Sequence, residues 1–306
     1  MTLFPALDDM LRKRAELGVK PFYLGSVEEA RRRYDALQAA LQPDRGSAVR
    51  REVDHVIEGA EPPVRVRLFE PFSQPCGTIL FVHGGGWIMG SPETFAPLCR
   101  ELATVTGMTV ASVDYRLAPE HPYPAPLDDA YAALCWAADQ GPGPLIVMGD
   151  SSGGNLAAAC ALKARDQNGP PIALQVLLYP VLHADFTRSS YRECGSGDLI
   201  LATGDVSWFW DQYAPNPESR HQHLVSPLLA QDLRSLPPAI LCVARYDPVR
   251  DDGMAYAERL RQAGVPVILR VHDDMIHGFF GMIDIIEPAN AAVRWLGDAI
   301  RTELRL

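Results

Sequence analysis

No apolar run in the 306 residues is long enough to cross a bilayer. The first residues, Met1-Thr2-Leu3-Phe4-Pro5-Ala6-Leu7-Asp8-Asp9, have neither the basic start nor the apolar core of a secretory signal. Positive charge is in the minority. Lys and Arg number 28 against 38 Asp and Glu, and the formal charge of -10 argues against nucleic acid or an anionic membrane surface as a partner. The six cysteines (76, 99, 135, 160, 194 and 242) are scattered, several of them in apolar segments, and no C-x-x-C occurs. Reduced thiols in a cytoplasmic protein fit this pattern better than disulfides or zinc. His221 and His223 form an H-x-H without further ligands close by and read as surface residues. No metal and no cofactor are expected.

What is present is the composition of a globular protein, 47% apolar and 22% charged. The length suits one large α/β domain with additions, or two small ones. Residues 1–45 read as helices: Leu7, Met10, Leu11 and Arg14 fall at helical spacing, as do Val27, Ala30, Tyr34, Leu37 and Leu41. Arg31-Arg32-Arg33 in the second helix reads as a solvated face. Runs at 53–58 and 64–69 flank a Gly- and Pro-containing turn and predict a hairpin. Further strands are expected at 78–82, 108–113, 145–148, 174–178, 239–244 and 265–271. Helices are expected near 93–105, 127–139, 251–263 and 288–304, with Gly264 as a C-terminal cap. The proline-rich loop 114–126 is expected to be non-helical. Eight strands, the last six alternating with helices or long insertions, imply a mostly parallel sheet covered on both faces.

One interruption stands out. Residues 183–225 carry Phe186, Tyr191, Trp208, Phe209, Trp210 and Tyr213 and one short helix at 205–213. So long an insertion between two sheet strands suggests a lid that packs on the N-terminal helices.

The stretch with chemistry is 145–162. An apolar strand-like run leads into Gly149-Asp150-Ser151-Ser152-Gly153, and an Ala- and Leu-rich helix-forming run follows. G-x-S-x-G between a strand and a helix is the pattern of a nucleophile elbow. Glycine at the flanking positions lets strand and helix approach, and the tight turn lifts the serine hydroxyl above the sheet. The glycine register favours Ser151 over Ser152.

A serine elbow needs an oxyanion hole, an acid and a base, the last two in the order Asp then His after the serine. His83-Gly84-Gly85-Gly86-Trp87 follows the expected strand 78–82. Its glycines can aim N–H groups at a tetrahedral oxygen together with the N–H of Ser152. His83 reads as an anchor of this loop. Asp247, just past a strand, is favoured as the acid over Asp251 and Asp252, which suit the first turn of the next helix. His277, several positions into the last loop, is favoured as the base over His272 at the strand end.

With these parts assembled, the chain resembles the hormone-sensitive-lipase family of α/β hydrolases, the bacterial family IV esterases. The matching segments are His83-Gly84-Gly85-Gly86-Trp87, Asp114-Tyr115-Arg116-Leu117-Ala118-Pro119-Glu120, 149–157, Tyr246-Asp247-Pro248-Val249-Arg250-Asp251 and His277-Gly278-Phe279. The resemblance implies an α/β-hydrolase fold in which residues 46–182 and 226–306 form the catalytic domain and 1–45 and 183–225 form a helical cap. It implies Ser151 as nucleophile, Asp247 as acid and His277 as base. It also implies Gly85, Gly86 and the backbone of Ser152 as the oxyanion hole. The implied activity is cofactor-free hydrolysis of short- to medium-chain esters. Two positions depart from the family. Ser152 stands where alanine is commoner, and only its N–H is expected to matter. Arg245 stands in the A-x-Y-D segment where Glu is frequent.

The same machinery could act on an amide or lactone. A non-catalytic receptor of this fold is the alternative from another class, and the presence of all three triad residues argues against it. Trp87, Phe95, Trp208, Phe209 and Phe280 are candidate pocket walls. The last strand, if at the sheet edge, could support a homodimer.

Overall fold

A computed structural model describes residues 3–40 and 46–306, with side chains to residue 37 in the first segment. Helix α1 (Pro5–Glu16) and helix α2 (Val27–Ala40) come first. The expected continuation through Leu41 to residue 45 lies outside the described residues. The hairpin follows as β1 (Arg51–Ile57) and β2 (Val64–Glu70), then β3 (Thr78–Val82), α3 (Ala96–Thr106), β4 (Thr109–Asp114) and α4 (Ala125–Ala138). Next come β5 (Leu145–Asp150), α5 (Ser152–Asp166) and β6 (Leu174–Leu178). The insertion carries α6 (Ser189–Cys194) and α7 (Thr203–Tyr213). The chain closes with β7 (Ala239–Tyr246), α8 (Arg250–Gln262), β8 (Val267–Ile276) and α9 (Glu287–Leu304).

The strands form one eight-stranded sheet in the order β1-β2-β4-β3-β5-β6-β7-β8. Strand β2 is antiparallel to both neighbours, and every pair from β4 to β8 is parallel. Strands β3, β5 and β6 are buried at every position because both faces are covered. In β3, Leu80 and Val82 enter the core under α4, α5 and α8, whereas Ile79 and Phe81 enter the core under α3 and α9. The hydrophobic alternation thus builds two cores from one strand.

Several boundaries differ from expectation for local reasons. Helix α3 starts at Ala96 and not near 93, because Ser91 and Thr94 bond each other's backbone in a turn before it. Helix α4 starts inside the loop that was expected to exclude it: Pro126 occupies its first turn, where a missing N–H costs nothing. Strand β8 runs five residues beyond 271, through Asp273 and Asp274, with an irregular register opposite Ala244 and Tyr246. The charged pair concealed that extension. Helix α6 had no signal above its loop. Gly264 does follow α8 with a left-handed φ of 79°.

The arginine run is not uniformly solvated. Arg31 donates through Nε to the Ile88 carbonyl at 2.7 Å and through Nη2 to the Ala118 carbonyl at 2.9 Å, and it forks onto Glu120. It therefore ties α2 to the loops after β3 and β4. Arg33 donates to the Lys20 and Pro21 carbonyls and lies over the Phe22 ring. Only Arg32 fits the solvated reading, its side chain being 67% exposed. Arg31→Ala should lower stability by about 1–3 kcal/mol through the two carbonyls left without donors. Arg32→Ala should change it by less than about 0.5 kcal/mol. Denaturant melts of the two variants check this; equal effects would contradict the anchoring.

Candidate active site

Three strand ends deliver three side chains to one place. Ser151 lies between β5 and α5, Asp247 directly follows β7, and His277 directly follows β8. The longer β7 and β8 therefore place Asp247 and His277 at strand ends and not out in loops, at the carboxyl edge where ligands of parallel sheets collect. His277 Nδ1 is 2.8 Å from Asp247 Oδ2, and His277 Nε2 is 2.9 Å from Ser151 Oγ. A carboxylate can only accept, so Nδ1 carries the proton and Nε2 is left free to accept from the serine hydroxyl. Asp247 is fully buried, and its second oxygen accepts the Val249 N–H at 2.9 Å. Asp247 is thus held from both sides.

The serine turn is strained as its glycines require. Ser151 has φ 53° and ψ -119°, a region side chains avoid. A Cβ on Gly149 would overlap the Gly153 carbonyl, and one on Gly153 would overlap the carbonyl of Val82 at the end of β3. The elbow and the glycine loop after β3 are therefore in backbone contact. Two side chains sew them together. Asp150 Oδ1 accepts the Gly84 N–H at 2.7 Å, and Ser152 Oγ accepts the Trp87 N–H at 3.1 Å. The hydroxyl of Ser152 is thus engaged, where its N–H alone was expected to matter. Gly85 and Gly86 both have positive φ, 114° and 62°, and line the same pocket as Ser151 and His277.

The rival residues have other tasks. Asp251 Oδ2 accepts the Ser190 N–H, and Asp252 Oδ2 accepts the Leu182 and His183 N–H groups, so both hold the entry to the 183–225 segment. His272 sits within β8 against Phe279 and Phe280, and burial lowers its pKa to about 4. His83 is fully buried, stacked on Phe95 and Tyr115, with Nδ1 at 2.8 Å from the Gly84 oxygen and a pKa pushed down by burial to about 4. It fixes the loop as a neutral ring. Arg245 turns outward to Asp273 at 3.4 Å. His223 faces Asp166, and among the described residues no cluster of His, Cys, Asp or Glu could hold a metal ion.

The pocket over Ser151 has a volume of about 190 Å³. Phe22, Tyr34 and Leu37 line it from the N-terminal segment, and Ile200, Leu201 and Phe209 from 183–225. Met89, Phe95, Leu98 and Met282 line it from the sheet domain, and Arg14 from α1. Of the five aromatic candidates, Phe95 and Phe209 are in the wall, whereas Trp87, Trp208 and Phe280 are not. Trp87 is buried and stacks flat on Tyr213 at 4.3 Å, so it clamps the glycine loop to α7. Trp208 faces the wall residue Phe209 from the far side, and Phe280 is buried beneath Tyr179 and Phe279. The aromatic count marked a pocket region but could not say which ring faces inward. Met89, two residues past Trp87, was the closest overlooked sequence signal.

Asp150 lies at 4% exposure between two motifs, and desolvation raises its pKa to about 7, against the pull of the Gly84 N–H. A carboxyl whose folded pKa is raised stabilises the fold fully below its ordinary pKa, and that contribution is lost as pH rises to about 7. Asp150→Asn removes the titration but keeps an acceptor for Gly84. Its Tm relative to the parent should therefore climb between pH 4 and 7. A constant difference across that range would contradict the assignment.

Comparison with known proteins places this geometry. A family model described as the alpha/beta hydrolase fold matches residues 79–281. The esterase LipI of Mycobacterium tuberculosis is 38% identical over 94% of this chain and 92% of its own length. The ethyl acetate hydrolase of Pseudomonas putida is 35% identical over 94% of this chain and 93% of its own. A solved structure, the hyperthermophilic esterase from the archaeon Pyrobaculum calidifontis, superposes with a TM-score of 0.92 at 35% identity, covering 99% of each chain. A serine elbow joined to a glycine loop, on this sheet and with these relatives, means that the chain belongs to the hormone-sensitive-lipase family of α/β-hydrolase-fold esterases.

Proposed function

We propose that the protein is a serine carboxylesterase that cleaves small esters of short to medium acyl chain through an acyl-enzyme. One observation carries the reading: the line Asp247–His277–Ser151, bonded at 2.8 and 2.9 Å, opens into a mainly apolar cavity. The relatives, named as esterases and carboxylic ester hydrolases, support it. A cavity of about 190 Å³ favours a short or medium acyl chain over a long one.

The cycle follows from the residues. His277 Nε2 takes the Ser151 proton as Oγ bonds to the ester carbonyl carbon. Asp247 keeps the imidazole in the tautomer that can accept and balances its charge. The N–H groups of Gly85, Gly86 and Ser152 receive the oxyanion. The bond to the alcohol oxygen breaks, and Nε2 returns its proton to that oxygen. Water then attacks the acyl-enzyme by the same route and releases the acid. The N-terminal segment and 183–225 act as a cap, supported by the seven wall residues they supply. The six unpaired thiols support a reducing, cytoplasmic setting.

Ser151→Ala should lower kcat by about four orders of magnitude or more. Ser152→Ala keeps its N–H and should lose about tenfold, the effect of an unpaired Trp87 N–H. Esterase assays on C2 to C16 chromogenic esters check this, and equal losses would contradict the division of roles. Strand β8 ends the sheet, which supports a homodimer through that edge. Light scattering at micromolar concentration should give twice the chain mass; a monomer mass would remove the dimer.

A further inference from the structure

The pocket wall contains one charge that the chemistry above does not use. Arg14, in the last turn of α1, lines the cavity together with Ser151 and His277 and is half-buried there. Phe22, Leu37 and Phe209 line the same cavity. The other ionisable groups that line the cavity are engaged. Asp150 holds the Gly84 N–H, and His277 is bonded on both ring nitrogens. Tyr34 also has its own interaction. Among the described residues the Arg14 guanidinium makes no hydrogen bond and no ion pair, and it is the only arginine or lysine head group in the wall.

Five other half-buried arginines are paired instead. Arg31, Arg65, Arg67, Arg116 and Arg250 each meet a carboxylate within 3.0 Å. The charges that act on Arg14 are Asp205 and Arg33. Asp205 is fully buried, and its two oxygens already accept the Tyr23 and Ala202 N–H groups. Arg33 is spent on the Lys20 and Pro21 carbonyls. Neither Asp205 nor Arg33 lines the cavity, so the Arg14 guanidinium is the positive charge that this wall presents. Desolvation lowers the Arg14 pKa, as expected of a guanidinium drawn out of water without a counter-ion. Such a planar fork matches a carboxylate in two parallel bonds.

We infer that Arg14 sets substrate preference by receiving a free carboxylate, so that the favoured esters carry a carboxylate remote from the scissile carbonyl. This rests on the esterase reading above. Half-esters of dicarboxylic acids and acyl esters of hydroxy acids are the two members of the class, differing in which half of the ester holds the anion.

The test is a ratio. In a pH-stat, kcat/KM is measured for monomethyl glutarate and adipate against methyl valerate and hexanoate. On the alcohol side, acetates of ω-hydroxy acids are measured against acetates of the matching alcohols. In one series or the other, Arg14→Gln should lower the charged-to-neutral ratio about tenfold or more, chiefly through KM of the charged ester. Arg14→Lys should recover part of it. Salt at ~0.5 M should depress the ratio in the parent and leave it level in Arg14→Gln. A ratio unmoved by Arg14→Gln in both series, or equal losses on charged and neutral esters, overturns the inference and makes Arg14 a packing residue of α1. If the parent cleaves neither neutral nor charged esters, the esterase reading fails and takes this inference with it. Neutral turnover with an unmoved ratio sinks the inference alone.

Discussion

The site depends on how closely the serine turn can press against the end of β3. Gly153 packs against the Val82 carbonyl with no room for a methyl group, and Gly149 against Gly153 with none either. That contact lets Asp150 reach the Gly84 N–H and Ser152 reach the Trp87 N–H. The strained φ of Ser151 is the local cost, held in place by the sheet on one side and α5 on the other. The serine turn and the glycine loop are thereby joined as one unit.

Asp247 and His277 meet that unit through the 2.9 Å contact between His277 Nε2 and Ser151 Oγ. Strands β7 and β8 end at adjacent positions, and their last residues pass directly to Asp247 and His277. Asp251 and Asp252, one turn further, bind the backbone at the start of the 183–225 segment, while Asn155 of α5 donates to the Val181 and Val225 carbonyls at its two ends. The segment that supplies pocket walls is therefore fastened to α5 and to α8. Arg31 fastens α2 to the loops after β3 and β4 in the same manner.

Much of this was legible in the sequence because it rests on short-range chemistry. The runs at 53–58 and 64–69, the apolar run at 78–82 and the glycines around Ser151 each encode their own conformation. What was not legible depends on distant partners. Arg31 and Arg32 look alike in sequence, and only the Ile88 and Ala118 carbonyls distinguish them. Trp87 and Phe209 are both aromatic, but Tyr213 captures the first and leaves the second to face the pocket. Strand β8 continues through two aspartates that propensity would have placed in a loop. The hydroxyl of Ser152, dismissed in favour of its N–H, turned out to bond the backbone of another motif.

The central claim is that Ser151 Oγ is the atom that becomes acylated. Labelling with a small organophosphonate, followed by peptide mapping, tests it most directly. The account expects one adduct per chain, located on Ser151, absent in Ser151→Ala and strongly slowed in His277→Ala. An adduct on Ser152 or another serine, or labelling that survives Ser151→Ala at the parental rate, would contradict it.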